Sequence, residues 1–209
     1  MKKIGMLGGM SWQSTLTYYK LLNEEVNSQL GDLHSAKIIM SSVDFDEIEK
    51  FQHDGDWDKT AEILSNEAKS IQDAKADFLL ICTNTMHKVA PQIEKNIDIP
   101  ILHIADATAL QLQKNGITKV ALLGTKFTMT EDFYKQRIIN KFGIDVVIPN
   151  DEEQNLIHDV IYKELCLGVI NKNSRNAYIK IIKRLEEENE AQAVILGCTE
   201  IAMLIKQGY

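Results

Sequence analysis

Ala76-Asp77-Phe78-Leu79-Leu80-Ile81-Cys82-Thr83-Asn84-Thr85 aligns without gaps with Ala191-Gln192-Ala193-Val194-Ile195-Leu196-Gly197-Cys198-Thr199-Glu200. Each segment is an apolar run ending in a small residue and then a turn. Thr83 thereby matches Cys198. A second pair, Lys3-Ile4-Gly5-Met6-Leu7-Gly8-Gly9 against Lys119-Val120-Ala121-Leu122-Leu123-Gly124-Thr125, lies 116 residues apart (119 − 3), against 115 for the first (198 − 83). Two matches at nearly one offset point to a duplicated half.

Outward from these segments, short runs of branched apolar residues alternate with longer stretches of helical period. That alternation predicts an α/β fold of parallel sheet covered by helices. The expected strands are Lys3 to Leu7, Lys37 to Ser41, Asp77 to Cys82, Ile99 to His103, Lys119 to Leu123, Asp145 to Ile148 and Ala193 to Gly197. Ser11 is placed to cap the first helix, whose Leu16, Tyr19, Leu22 and Val26 form one apolar stripe. Trp57, Ala61, Ile63, Leu64, Ala68 and Ile71 form a comparable stripe before the third strand. The division between halves falls at 1–97 and 98–209. After Gly197 only a short helix, Thr199 to Lys206, fits before Tyr209, so the second half reads as lacking a C-terminal return segment.

The 209 residues carry a net charge of −7, which opposes a duplex nucleic-acid partner because phosphate binding relies on clustered Lys and Arg. Met1-Lys2-Lys3 leads straight into a strand too short for a signal-peptide core, and no apolar run reaches membrane-span length. A cytoplasmic protein without a membrane partner is expected. Cys82, Cys166 and Cys198 are too widely spaced for a disulfide framework or a zinc site, so free thiols and no metal are expected.

In open α/β sheets ligands bind beyond the carboxyl ends of the strands. Gly8 to Ser11, Thr83 to Thr85, Thr125 to Thr128 and Cys198 to Glu200 should therefore border one cleft. A turn that opens a helix offers unpaired amides to a carboxylate or phosphate. Gly5-Met6-Leu7-Gly8-Gly9-Met10 matches neither phosphate fingerprint, which favours a carboxylate. A cysteine at a helix N-terminus has a lowered pKa, so Cys198 is expected as a thiolate. Cys82 should point into the core, and Cys166 should lie on a helix in either a core or a lining position. His87, four residues after Thr83, either binds a carboxylate or polarises Thr83.

Gly8-Gly9-Met10-Ser11-Trp12, Ser42-Val43-Asp44-Phe45, Thr83-Asn84-Thr85-Met86-His87 and Gly197-Cys198-Thr199-Glu200 together resemble the aspartate/glutamate racemase family, in particular its bacterial branch acting on L-aspartate and L-glutamate. The resemblance covers nearly the whole chain. It implies two pseudo-symmetric parallel-sheet α/β halves with the active site in the cleft between them. It also implies a homodimer, no cofactor, and racemisation of an acidic amino acid by two-base Cα proton transfer. Cys198 and Thr83 would be the two catalytic groups, Thr83 standing where most members have a second cysteine. By position, Met10, Ser11, Gln52, Asn84, Thr85, His87, Thr125, Thr128, Thr199 and Glu200 would bind the substrate. Relatives often carry lysine where Cys166 stands, which removes an expected cation. Decarboxylation or isomerisation of a small dicarboxylate, and amino-acid binding without catalysis, are the alternatives.

Overall fold

The computed structural model describes residues 1–206. It divides into two compact units, Met1–Ile104 and Ala105–Tyr209.

In the first unit the order is β1 (Lys3–Gly8), α1 (Trp12–Leu30), β2 (Lys37–Ser42), α2 (Phe45–Asp54), α3 (Trp57–Asp73), β3 (Phe78–Ile81), a 3-10 turn (Thr85–Val89) and α4 (Ala90–Glu94). Its sheet is wholly parallel in the order β2-β1-β3, with Ile4 opposite Phe78 and Leu7 opposite Ile81. The second unit runs α5 (Ile104–Lys114), β4 (Lys119–Gly124), α6 (Lys126–Thr130), α7 (Asp132–Phe142), β5 (Asp145–Val147), α8 (Asp151–Lys163), a 3-10 turn (Leu165–Leu167), α9 (Lys172–Asn189), β6 (Ala193–Gly197) and α10 (Ile201–Leu204). Its sheet, β5-β4-β6, is also parallel, with Val120 opposite Ala193 and Leu123 opposite Leu196. Strand order and register thus repeat from one unit to the other. The Ile4–Phe78 pair of the first sheet becomes Val120–Ala193 in the second, displacements of 116 (120 − 4) and 115 (193 − 78), the latter being the one that relates Thr83 to Cys198 (198 − 83).

Each unit has its own core. In the first, Ala61, Leu64, Ala68 and Ile71 of α3 pack with Leu7, Leu79 and Ile81 of the sheet, as the α3 periodicity predicts. In the second, Ile157 and Ile161 of α8 and Tyr178, Ile181 and Leu185 of α9 cover Ala121 and Leu123.

Three expectations about elements need correction. Ile99 to His103 is not a strand: it makes one bridge, Leu79 to Ile101, through Leu79 N–H to the Pro100 carbonyl (2.9 Å) and Leu102 N–H to the Leu79 carbonyl (2.9 Å). Pro100 has no amide hydrogen with which to extend the ladder. The apolar stripe of α1 does not face inward as a whole. Leu16 and Tyr19 remain 57% and 48% exposed, whereas Tyr18 and Leu22 pack on Ile4, Met6 and Cys82. Its first turn docks by hydroxyls instead, with Ser14 and Thr15 as the fully buried residues of the helix. Finally, the helix expected over Thr199 to Lys206 is α10, four residues long, preceded by a turn. The chain end at Tyr209 lies outside the described residues.

Candidate active site

In the first unit the chain leaves β1 through Gly8-Gly9-Met10-Ser11. Gly9 has φ +93°, and a Cβ there would stand 2.2 Å from the Val43 carbonyl oxygen, so this close crossing of two backbones requires glycine. The Gly9 N–H donates to Thr15 Oγ1 at 2.8 Å. Ser11 caps α1, its side chain accepting from Ser14 N–H, as expected. Met10 and Gln52 are both buried, at 4% exposure.

The neighbouring turn is held from three sides. Cys82 N–H donates to the Leu7 carbonyl at 2.9 Å, and Ser14 Oγ donates to the Cys82 carbonyl at 2.8 Å. The Thr83 carbonyl is then gripped by His87 Nδ1 at 2.8 Å. His87 Nε2 accepts the Ile104 N–H at 3.2 Å, which puts the ring proton on Nδ1. His87 is thus a buried clasp between the Thr83 turn and the segment at Ile104, stacked 4.4 Å from the His103 ring. Thr83 itself is half-buried, while Asn84 and Thr85 after it are buried. Cys82 points into the core, and burial pushes its thiol up to about 12.

The second unit has the equivalent turns with different contacts. Thr125 caps α6, its Oγ1 accepting Thr128 N–H, and the two hydroxyls lie 3.2 Å apart in a buried position. Gly197 admits this pair: a Cβ there would meet Leu123 O at 3.0 Å and Thr128 Cγ2 at 3.2 Å. One residue on, Cys198 is half-buried, and its Sγ donates to Glu200 Oε2 at 2.8 Å. Thr199 Oγ1 donates to the same oxygen at 2.8 Å. Cys166 lies on the short 3-10 helix after α8 and is exposed, not in a core position, and that 3-10 helix packs against α10.

The surroundings of Cys198 oppose the expected thiolate. Burial first, and the Glu200 carboxylate second, hold this thiol well above the ordinary cysteine range. The physical reason is local. A four-residue helix brings little dipole, and a carboxylate at its head cancels what there is.

What the sequence reading missed is the fastening of the turns. Ser14 and Thr15 occupy buried positions in a helix read by its apolar stripe, and a polar residue facing the sheet was the available signal. Among the described residues, no group of three or more His, Cys, Asp or Glu could hold a metal ion, and no helix is long and apolar enough to cross a membrane.

Comparison with known proteins adds three relatives. A structure of a Yersinia pestis protein assigned to the Asp/Glu racemases is 51% identical, covering 99% of this chain and 90% of that one, with a TM-score of 0.94. A structure of an aspartate racemase homologue from Pyrococcus horikoshii OT3 is 38% identical over 100% of this chain and 90% of that one, with a TM-score of 0.86. A broad-specificity amino-acid racemase of Bacillus subtilis is 24% identical over 70% of this chain, and the match spans 62% of that protein's length. The family model for Asp/Glu/hydantoin racemases matches residues 7–208. With a match of that extent, the chain belongs to the Asp/Glu/hydantoin racemase family, a family of isomerases.

Proposed function

We propose that this protein racemises an acidic amino acid, aspartate or glutamate, without pyridoxal phosphate, using Thr83 and Cys198 as the two proton-transfer groups. The observation that carries the reading is the shared strand order and register of the two units. Thr83 and Cys198 follow equivalent strands, and the turn that carries Thr83 is fastened by the buried Ser14 hydroxyl.

The chemistry demands such a setting. An amino-acid Cα–H is a very weak acid, and without an electron sink the developing carbanion must be stabilised by fixed donors. Loss of one donor of this kind costs about 2.7 to 4 kcal/mol in known sites. Asn84, Thr85, Thr125 and Thr128 are buried polar groups beside the two turns, and together with Met10, Ser11, Gln52, Thr199 and Glu200 they would hold the substrate. His87 serves them by fixing the Thr83 backbone.

The test is Cα deuterium incorporation in heavy water from each enantiomer of aspartate and glutamate, with no cofactor added. Exchange by the parent and its loss in Cys198→Ala, by about 10³-fold or more, is the expected outcome. A Cys198→Ala protein that exchanges as fast as the parent overturns the assignment.

A further inference from the structure

The turn that carries Thr125 and Thr128 is held by one neighbouring helix, α8. At the start of α6 the Lys126 N–H donates to His158 Nδ1 at 3.3 Å, and Lys126 Nζ donates to Asn155 Oδ1 at 3.2 Å. Asn155, His158 and Tyr162 follow one another at helical spacing, so they share one face of α8. The Tyr162 ring lies 4.7 Å from the imidazole and backs it. The helix is a firm support. Its Ile157 and Ile161 are in the core, Asn150 and Glu153 close a capping box at its start, and Arg184 pairs with Glu153.

An imidazole nitrogen that accepts from an amide is unprotonated, so His158 is neutral here, with its ring proton on Nε2. Burial favours that form and holds the group below the ordinary histidine range. Asp159 of the same helix acts against burial, whereas Lys126 of α6 and Lys163 of α8 act with it. The amide that His158 accepts adjoins Thr125, whose Oγ1 accepts the Thr128 N–H at 3.3 Å. Protonation of Nδ1 would set one N–H against another and release the turn from α8.

We propose that His158 is a positioning residue for the substrate: through the Lys126 amide it fixes the Thr125–Thr128 turn, and it does so only while neutral. The proposal rests on the racemase reading given above, in which Thr125 and Thr128 hold the amino acid. Acting through the backbone of that turn, His158 should govern binding more than proton transfer.

In the Cα exchange assay His158→Phe keeps a ring against Tyr162 but has no acceptor. It should raise KM about tenfold near pH 7, with kcat within about threefold of the parent. His158→Asn offers Oδ1 where Nδ1 stands and does not titrate, so its KM should stay within about threefold of the parent's. As pH falls through the imidazole's pKa, KM of the parent should rise and KM of His158→Asn should not. Amide NMR of the parent gives a readout independent of turnover. The Lys126 and Thr128 amides should shift with the midpoint of the His158 ring proton, and that step should vanish in His158→Asn.

A His158→Phe protein with the parent's KM overturns the proposal. So does a His158→Asn protein that loses as much as His158→Phe, which would assign the effect to ring packing, or a Lys126 amide that does not follow the imidazole. Should His158→Phe fail to fold, His158→Asn and the parent's amide titration decide the question. If the parent exchanges no amino acid, the racemase reading falls instead, and the amide titration still decides whether His158 holds the turn.

Discussion

A thiol two residues from a carboxylate behaves differently from a thiol at the head of a long helix, and Cys198 shows how much turns on that. The residue type and its place after β6 were readable from the chain. Its protonation was not, because it depends on a side-chain contact between Cys198 and Glu200 that spacing alone leaves undetermined. A second residue whose ionisation follows from its neighbours is Asp106. It accepts Arg137 Nε at 2.5 Å and Nη2 at 2.9 Å, and Lys141 Nζ at 2.5 Å. The Arg137 contact is the main reason its carboxyl falls from 3.8 to about 2. A depressed folded-state pKa means stability that is present above the unfolded value and lost as pH falls through the folded one. Asp106→Asn should therefore lose about 1 to 2 kcal/mol near pH 7, the partial exposure of Arg137 and Lys141 limiting the figure. The gap to the parent should close between about pH 4 and 2 in urea titrations. A gap that persists at the acid end would show that packing, not the ion pair, is responsible.

At the scale of elements, α1 and α3 carry similar apolar periodicity but are bound to the sheet differently. Leu64 of α3 is fully buried among Leu7, Leu79 and Ile81, whereas Leu16 of α1 is more than half exposed. Leu64→Ala should cost about 2 to 5 kcal/mol and Leu16→Ala no more than about 0.5, measured as shifts in urea midpoint with unchanged slope. Equal losses would place α1 in the core after all. Most elements were legible because β1, β2, β4 and β6 are dense apolar runs bounded by polar residues or glycine. Ile99 to His103 shares that composition, but a proline at its second residue left only one bridge. The docking of α1 was hidden because Ser14 and Thr15 read as surface residues, and their hydroxyls find partners in Cys82 and Gly9, distant in sequence or across a turn.

Across the whole chain, duplication is the organising fact, and it was visible because the two copies kept their spacing. The units share a strand order, a register and a buried inner strand, β1 in one and β4 in the other, with the same burial pattern. They differ at Thr83 and Cys198, and the difference can be removed. The turn is pinned by Ser14 on the Cys82 carbonyl and by His87 on the Thr83 carbonyl, both main-chain atoms, so Thr83→Cys leaves that fastening intact. It replaces a hydroxyl, a poor acid and base near neutral pH, with a thiol several pKa units more acidic. If Thr83 is a proton-transfer group, Cα exchange should rise about tenfold or more in Thr83→Cys. Racemisation has an equilibrium constant of one, so kcat/KM for the two enantiomers must increase together. Deuterium incorporation from L- and D-aspartate, run in parallel, reads both. An unchanged rate would remove Thr83 from the chemistry. A rise from one enantiomer alone would mean that the exchange observed is not racemisation.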